Sequence, residues 1–227
     1  MTIGFVQSAQ ASPGTGTSFP ISYNTPNTAG NFLYCTVFLQ AISTTCTLTD
    51  SNGNIWTEID HRDSGSFSIW HFYAKNCGNG ANTVTVTQGT SVVMRMGIAE
   101  YSGVDTASPI DNFAQSGAGS GTAISVGPMT TNFDNELFIL TSRWTPTQTF
   151  TAGTNYTTRE TIPASAVFAF EDFISSDLAG SQTGTATLGG SAAIASLMVG
   201  VKPQQSTTPS ILVPNTTYRL YEYLYTC

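Results

Sequence analysis

The sequence predicts an all-β protein, an antiparallel two-sheet sandwich of jelly-roll-like form with a C-terminal arm. Three observations predict it. Apolar and polar residues alternate with a period of two along short stretches, as in half-buried strands. Gly, Asn-Gly and Pro punctuate these stretches where turns are needed. No stretch carries an apolar stripe at helical spacing, and the Ala-rich run at 191–201 is hemmed by Gly189, Gly190 and Gly200 and stops at Pro203. About a dozen strands over roughly 200 residues fit two packed sheets better than one immunoglobulin unit of roughly 100 residues, with two small sandwiches in tandem as the alternative.

Weak alternation at 3–7 and 19–23 predicts short opening strands, and the apolar run at 32–41 a buried one. Strands at 46–49 and 55–59 flank Asp50-Ser51-Asn52-Gly53-Asn54, which imitates the start of a calcium loop. Ile55 stands where such a loop needs Gly and His61 where it needs Glu, so the segment reads as an Asx-type turn. The strand at 67–74 is apolar on both faces, Phe67, Ile69, His71 and Tyr73 on one and Trp70, Phe72 and Ala74 on the other, so both sides need cover. Strands follow at 83–87 (TVTVT) and 92–101. In the latter, Val92, Met94, Met96 and Ile98 form a core face and Val93, Arg95, Gly97 and Ala99 a solvent face, with Gly97 at a bulge or kink. Further strands are predicted at 136–144, 156–161, 166–174, 183–188 and 193–201. Residues 1–203 make the sandwich domain, 204–216 a Pro/Ser/Thr/Gln linker, and 217–227 an aromatic arm.

With 7 Lys+Arg against 14 Asp+Glu, only 9% of the 227 residues are charged, against about 25% in an average domain. The solvated face is therefore built from Thr, Ser, Asn, Gln and Gly, a composition usual on secreted, cell-surface and virion proteins. A net charge of −7 with scattered cations argues against nucleic acid. No apolar run approaches the roughly 18 to 20 residues of a membrane span, and MTIGFVQSAQ lacks the form of a signal peptide. Cys35, Cys46, Cys77 and Cys227 form no C-x-x-C pair and only two His are present, so a zinc site of the usual spacing is not expected. Cys35 reads as a small core hydrophobe, Cys46 and Cys77 as residues near turns that are able to pair, and Cys227 as free or intermolecular.

Nucleophile-elbow, P-loop, H-E-x-x-H and dinucleotide signatures are missing, and no cofactor is expected. The Gly-rich run at 117–121 precedes no helix and reads as a flexible loop. Asp60, His61, Arg62 and Asp63 form a dense polar cluster read as a solvated turn, and His71 as a satisfied core histidine. Glu58, Glu100, Glu171 and Asp172 are the carboxylates from which a glycosidase pair, about 5 to 10 Å apart, would have to come. Glu100 continues an apolar face and is expected to be partly buried and hydrogen-bonded to backbone. Trp56, Trp144 and Tyr156 are candidates for a glycan platform, Trp144 being expected to expose its ring at a Trp-Thr-Pro turn, whereas Trp70 reads as core.

The arm TYRLYEYLYTC is amphipathic in either conformation. As a strand it puts Tyr218, Leu220 and Leu224 on one face and Tyr221, Tyr223 and Tyr225 on the other; as a helix it aligns Leu220, Tyr223, Leu224 and Cys227. An apolar strip on a polar leash docks on something, either its own sandwich or a neighbouring subunit by strand addition.

The segments TDSNGNIWTEI (49–59), YAKN (73–76), GANTVTVT (80–87), AEYSGVD (99–105), NEL (135–137) and FTAGTNYTTRE (150–160) together resemble a β-sandwich domain recurrent in secreted bacterial proteins and phage structural proteins. The resemblance spans about residues 3–203, and it implies a surface or virion building block without implying catalytic residues. The expected function is a non-enzymatic structural protein of an extracellular assembly, at a phage virion surface as a decoration, fibre or tail component, docking through its arm. Its expected partners are copies of itself or other surface proteins, with no nucleic acid and no membrane insertion. The competing expectations are a carbohydrate-binding or adhesion module and a glycan-cleaving enzyme.

Overall fold

The computed structural model describes residues 2–42, 45–65, 67–116, 119–162 and 167–205. The predicted arm, with Tyr218, Leu220, Tyr221, Tyr223, Leu224, Tyr225 and Cys227, lies outside the described residues, as does the linker beyond Gln205. All regular structure among the described residues is antiparallel β. The first half of the chain contributes β1 (Gly4–Ser22), β2 (Phe32–Leu39), β3 (Cys46–Asp50), β4 (Trp56–Ser64), β5 (Phe67–Ala74) and β6 (Thr83–Ser102). The second contributes β7 (Ile110–Gln115), β8 (Gly119–Thr130), β9 (Leu137–Thr145), β10 (Phe150–Ala152), β11 (Thr157–Thr161), β12 (Phe168–Ile174) and β13 (Ser181–Val201).

Both halves have the same topology. The first sheet runs β1-β6-β2-β5-β4 with β3 on β6; the second runs β13-β9-β12-β11 with β7, β8 and β10 on β13. Thus β7 and β8 together answer β1, β13 answers β6, and β9 to β12 answer β2 to β5 in order. Local details repeat as well. The register slips once between β4 and β5, at Glu58/Asp60, and once between β11 and β12, at Thr158/Glu160. Leu33 pairs with Glu100 as Phe138 pairs with Gly200. Gln7 Nε2 donates to Thr25 O as Asn112 Nδ2 donates to Thr130 O, and Gly30 N donates to Cys77 O as Asn135 N does to Asp177 O. Gly30 and Asn135 both take positive φ, 88° and 57°, the conformation that Gly adopts freely and Asn tolerates.

The long strands double back. An extended strand of β1's 19 residues would span about 60 Å at the usual rise. Yet Asn24 Nδ2, just beyond its end, reaches Ser8 O at 2.7 Å, and Tyr23 OH reaches Ala99 O at 3.2 Å. The ribbon of β1 and β6 folds at the slip between Gly16 and Ser18, opposite residues 88–91. Its outer half, with β3, then lies over the back of its own sheet, so that Ile21, Tyr23, Val84 and Val86 cluster with Leu33, Cys35, Val37, Trp70 and Phe72. The second half repeats this with β8, β10 and the start of β13, placing Ile124, Val126, Ala186 and Leu188 against Phe138, Leu140 and Met198. Between the two sheets sits a shared core of Phe32, Tyr34, Phe38, Ile69 and Tyr101 against Leu137, Ile139, Phe168, Phe170, Leu197 and Val199. One sandwich is formed from two sheets, and each sheet is backed by its own flap.

This explains where local expectations shift. The pairs 3–7 with 19–23, 83–87 with 92–101, and 183–188 with 193–201 are each one strand, because the ladder continues through the fold-back. Residues 60–63 belong to β4, not to a turn. Gly119 to Gly121 lie in β8, paired with Ala192 to Ile194. The face of β6 with Arg95, Gly97 and Ala99 looks at the second sheet rather than at solvent. Gly97 is there for close approach, since a Cβ on it would lie 2.7 Å from the Phe170 ring.

Candidate functional site

Polar side chains buried between the sheets fasten one half to the other. Tyr34 OH on β2 lies 3.0 Å from both His71 Nδ1 on β5 and Thr141 Oγ1 on β9. Burial pushes His71 down to about 3 and Tyr34 well above the ordinary phenol, so both are neutral, and His71 Nε2 has no partner. Beside them Tyr101 OH donates to Asp172 Oδ2 at 2.7 Å, and Arg159 Nε donates to the same oxygen at 2.8 Å. The Arg159 guanidinium caps the Phe5 ring at 3.7 Å, so one carboxylate links β6, β11 and β12 and, through the ring, β1. The sandwich sides are laced in matching ways: Ser8 Oγ donates to Glu160 Oε1 between β1 and β11, and Arg62 Nη1 donates to Gln115 Oε1 between β4 and β7. Arg143 is buried over Phe67, 3.9 Å from the centroid, and over Phe38 at 5.0 Å, with Nε and Nη1 unpartnered. Desolvation, then nearby Arg95, lowers it to about 10.

The catalytic candidates are dispersed. His61 Nδ1 lies 2.7 Å from Glu58 Oε1 on the half-exposed face of β4, its ring stacked on Trp70 at 3.9 Å. Glu100 is fully buried and mainly held by side chains: it accepts from Gln7 Nε2, Asn27 Nδ2 and Asn31 Nδ2 at 2.6–2.7 Å and from Thr28 N at 2.9 Å. This corrects the expectation of partial burial; the expected backbone contact is present, through Thr28 N, beside three side-chain donors. The carboxylate ties the segment between β1 and β2 to the sheet. Glu171 and Asp172 are neighbours on β12 but point to opposite faces. Glu171 accepts only Gly153 N, at 3.2 Å, and burial pushes it up to about 8.

The expected glycan platform does not assemble. Trp144 is 1% exposed, stacked on Phe150 at 5.3 Å, because it lies inside β9 opposite Ile194 rather than at the turn; the expectation of an exposed ring is corrected. Tyr156 is half-buried in the same cluster with its hydroxyl on Met198 Sδ, whereas Trp56 is half-buried in the other half, donating to Asp50 Oδ2 at 3.0 Å. Asp50 forms the expected Asx turn, its oxygens also taking Asn52 N, Asn54 N and Asn82 Nδ2. Cys35, Cys46 and Cys77 are buried free thiols, so Cys46 and Cys77 do not pair; burial raises them, Cys46 to about 12 and Cys77 to about 11.

Two carboxyl groups do meet, at residues that sequence reading passed over. The loop from Thr131 to Glu136 aims consecutive amides at them: Asn132 N donates to Asp111 Oδ2 at 2.9 Å, and Phe133 N to Glu136 Oε1 at 3.1 Å. Asn132 Nδ2 donates to Asp111 Oδ1 at 3.0 Å. Glu136 is 1% exposed, and its Oε2 is buried without a partner. Burial, then Asp111, pushes its carboxyl up to about 8. Lys202 stands nearby, its ammonium 5.0 Å from the Phe133 ring centroid and 3.3 Å from Ser108 Oγ. Asn132 and Phe133 also line a surface depression of about 380 Å³ shared with residues 134–135 and 203–205. The signal available in the sequence was the repeat of Thr25 and Asn27 as Thr130 and Asn132, one constant offset apart.

The chain matches no protein-family model, no curated protein and no solved structure.

Proposed function

We propose that this chain is a non-enzymatic structural component of an extracellular assembly, a decoration, fibre or tail protein of a phage particle, whose sandwich is a rigid block and whose residues 217–227 join it to a second copy. The observation that carries this reading is the arm: eleven residues with four tyrosines and two leucines, following a polar leash on a chain otherwise surfaced in Thr, Ser and Asn. The rigidity of the block is supported by the cross-sheet fasteners, in which His71, Tyr101, Arg159 and Asp172 hold the two halves together. The resemblance of residues 3–203 to a sandwich of phage structural and secreted bacterial proteins supports the setting. The test is the light-scattering mass of the full chain beside a chain ending at Gln205, with and without reductant. A defined oligomer that becomes a monomer on truncation is expected, with reductant dissolving it only where Cys227 bridges copies. A full chain that stays monomeric at all concentrations would overturn the reading.

A further inference from the structure

The strands of both halves finish at one pole of the sandwich, and the chain runs on to its arm from there. In the first half Phe32 pairs with Tyr101 and Trp56 with Ala74 at this pole; in the second, Leu137 pairs with both Val201 and Ile174. Residues 103–105 run against 202–204 between the two halves: Val104 bridges Pro203, Asp105 N donates to Lys202 O, and Gln204 N donates to Gly103 O. Residues 206–227 therefore continue from this pole and not from the other.

The loops of the pole are tied down by their own acids. Asp50 takes the amides of Asn52 and Asn54, Asp105 those of Ala107 and Ser108, and Asp134 that of Ala179. Lys75 donates to Ala107 O and Lys202 to Ser108 Oγ, so the cations are engaged within the chain as well. A face fixed in this way loses little freedom on meeting a partner. Two aliphatic side chains stand out from it. Ile55 is 84% exposed and Leu178 78%, the most exposed large apolar residues among those described; Ile42 follows at 53%, at the opposite pole beyond the end of β2. One exposed aliphatic is ordinary on any surface. Here one from each half stands at the pole that the chain leaves. Ile55 borders a depression of about 330 Å³ with Lys75, Asn76 and Thr106. Leu178 precedes Ala179, whose amide is on Asp134 at the depression of about 380 Å³ beside residues 203–205.

Resting on the reading that residues 217–227 join two copies, we propose that this pole is the face on which the second copy of the chain seats. Copies meet pole to pole, with Ile55 and Leu178 of each as the apolar contacts and the two depressions receiving the partner's side chains. The root of the arm and these contacts share one face, so each arm crosses directly to the partner. Such a contact uses the same patch on both copies and closes on a pair. An arm that instead reached the opposite pole of its neighbour would make a head-to-tail contact and an open filament, with Ile42 in the contact.

The experiment is sedimentation equilibrium of the full chain as wild type and as Ile55→Asp, Leu178→Asp, their double variant and Ile42→Asp. All three side chains are exposed in the single chain, so every variant should unfold at the wild-type urea midpoint when diluted to monomer. The wild type is expected as a pair. Ile55→Asp and Leu178→Asp should each raise its dissociation constant about tenfold or more, since an unpaired carboxylate then enters an apolar contact, and the double variant about a hundredfold. Ile42→Asp should leave it unchanged. Association that withstands Ile55→Asp and Leu178→Asp, yet is lost in a chain ending at Gln205, overturns the proposal and leaves the arm's role standing. Association weakened by Ile42→Asp alone does the same and marks a head-to-tail contact. A wild-type chain that is monomeric at all concentrations overturns the proposal together with the reading on which it rests.

Discussion

Glu171 is a carboxyl that the fold keeps protonated, and removing its charge should change how stability depends on pH. The side chain is fully buried on the back of β12, one oxygen on Gly153 N and the other without a partner, and burial raises it from 4.5 to about 8. In the unfolded chain it ionises near the ordinary value. Between these two values the unfolded state has lost the proton and the folded state retains it, so stability falls as pH rises through the window and levels off above about 8. Carrying a carboxyl that far costs on the order of 5 kcal/mol across the whole window at 1.36 kcal/mol per pH unit. Glu171→Gln keeps the shape and the Gly153 contact and removes the ionisation. In urea unfolding at pH 5, 6.5 and 8, the variant should start close to wild type and gain on it at each step, by roughly 3–5 kcal/mol at pH 8. Curves for the two proteins that stay parallel across the three pH values would refute the reasoning, since the carboxyl would then ionise without penalty in the fold.

His71 predicts the opposite limb. Its folded value of about 3 lies below the ordinary 6.5, so stability is present above 6.5 and lost as pH falls through the window toward 3; His71→Gln should flatten that acid limb while costing the Tyr34 contact about 1 kcal/mol at pH 7, read by the same urea titrations. Gly97→Ala should destabilise by about 1–3 kcal/mol, because its methyl meets the Phe170 ring across the sheet interface; a thermal melt unchanged from wild type would mean that the sheets pack less closely than described. Tyr101→Phe should cost about 1–3 kcal/mol by taking one of the two donors from the buried Asp172, measured as a loss in urea midpoint at constant slope.

The strand grammar of this chain was legible because half-buried strands write alternation directly. The two-faced apolar pattern of 67–74 correctly required cover on both sides, and β5 has the second sheet on one face and its own flap on the other. The Asx turn at Asp50 was legible from side-chain chemistry alone. Strands β7, β8 and β10 were not, since Gly, Ser, Thr and Asn dominate them and their pairing is set by β13 rather than by propensity. Solvent was assigned to one face of β6 because Arg95 and Gly97 look polar or slight, whereas that face meets the core between the sheets, Arg95 beside the Phe38 ring of its own sheet and Gly97 under Phe170 of the other. The carboxyl pair was hidden for a different reason. Asp111 and Glu136 are far apart in sequence, and only the duplicated loop, with so few identities between its copies, brings them together.

The central claim, that residues 217–227 join one copy to another, is tested most directly by subunit exchange. Full chains labelled at the N-terminus with a donor are mixed with chains labelled with an acceptor, and energy transfer is followed against chains ending at Gln205. Transfer that grows to a plateau for the full chains and is absent for the shortened ones is the predicted result. Full chains that show no transfer at concentrations where both are folded would contradict the account, since an arm packed on its own sandwich joins nothing.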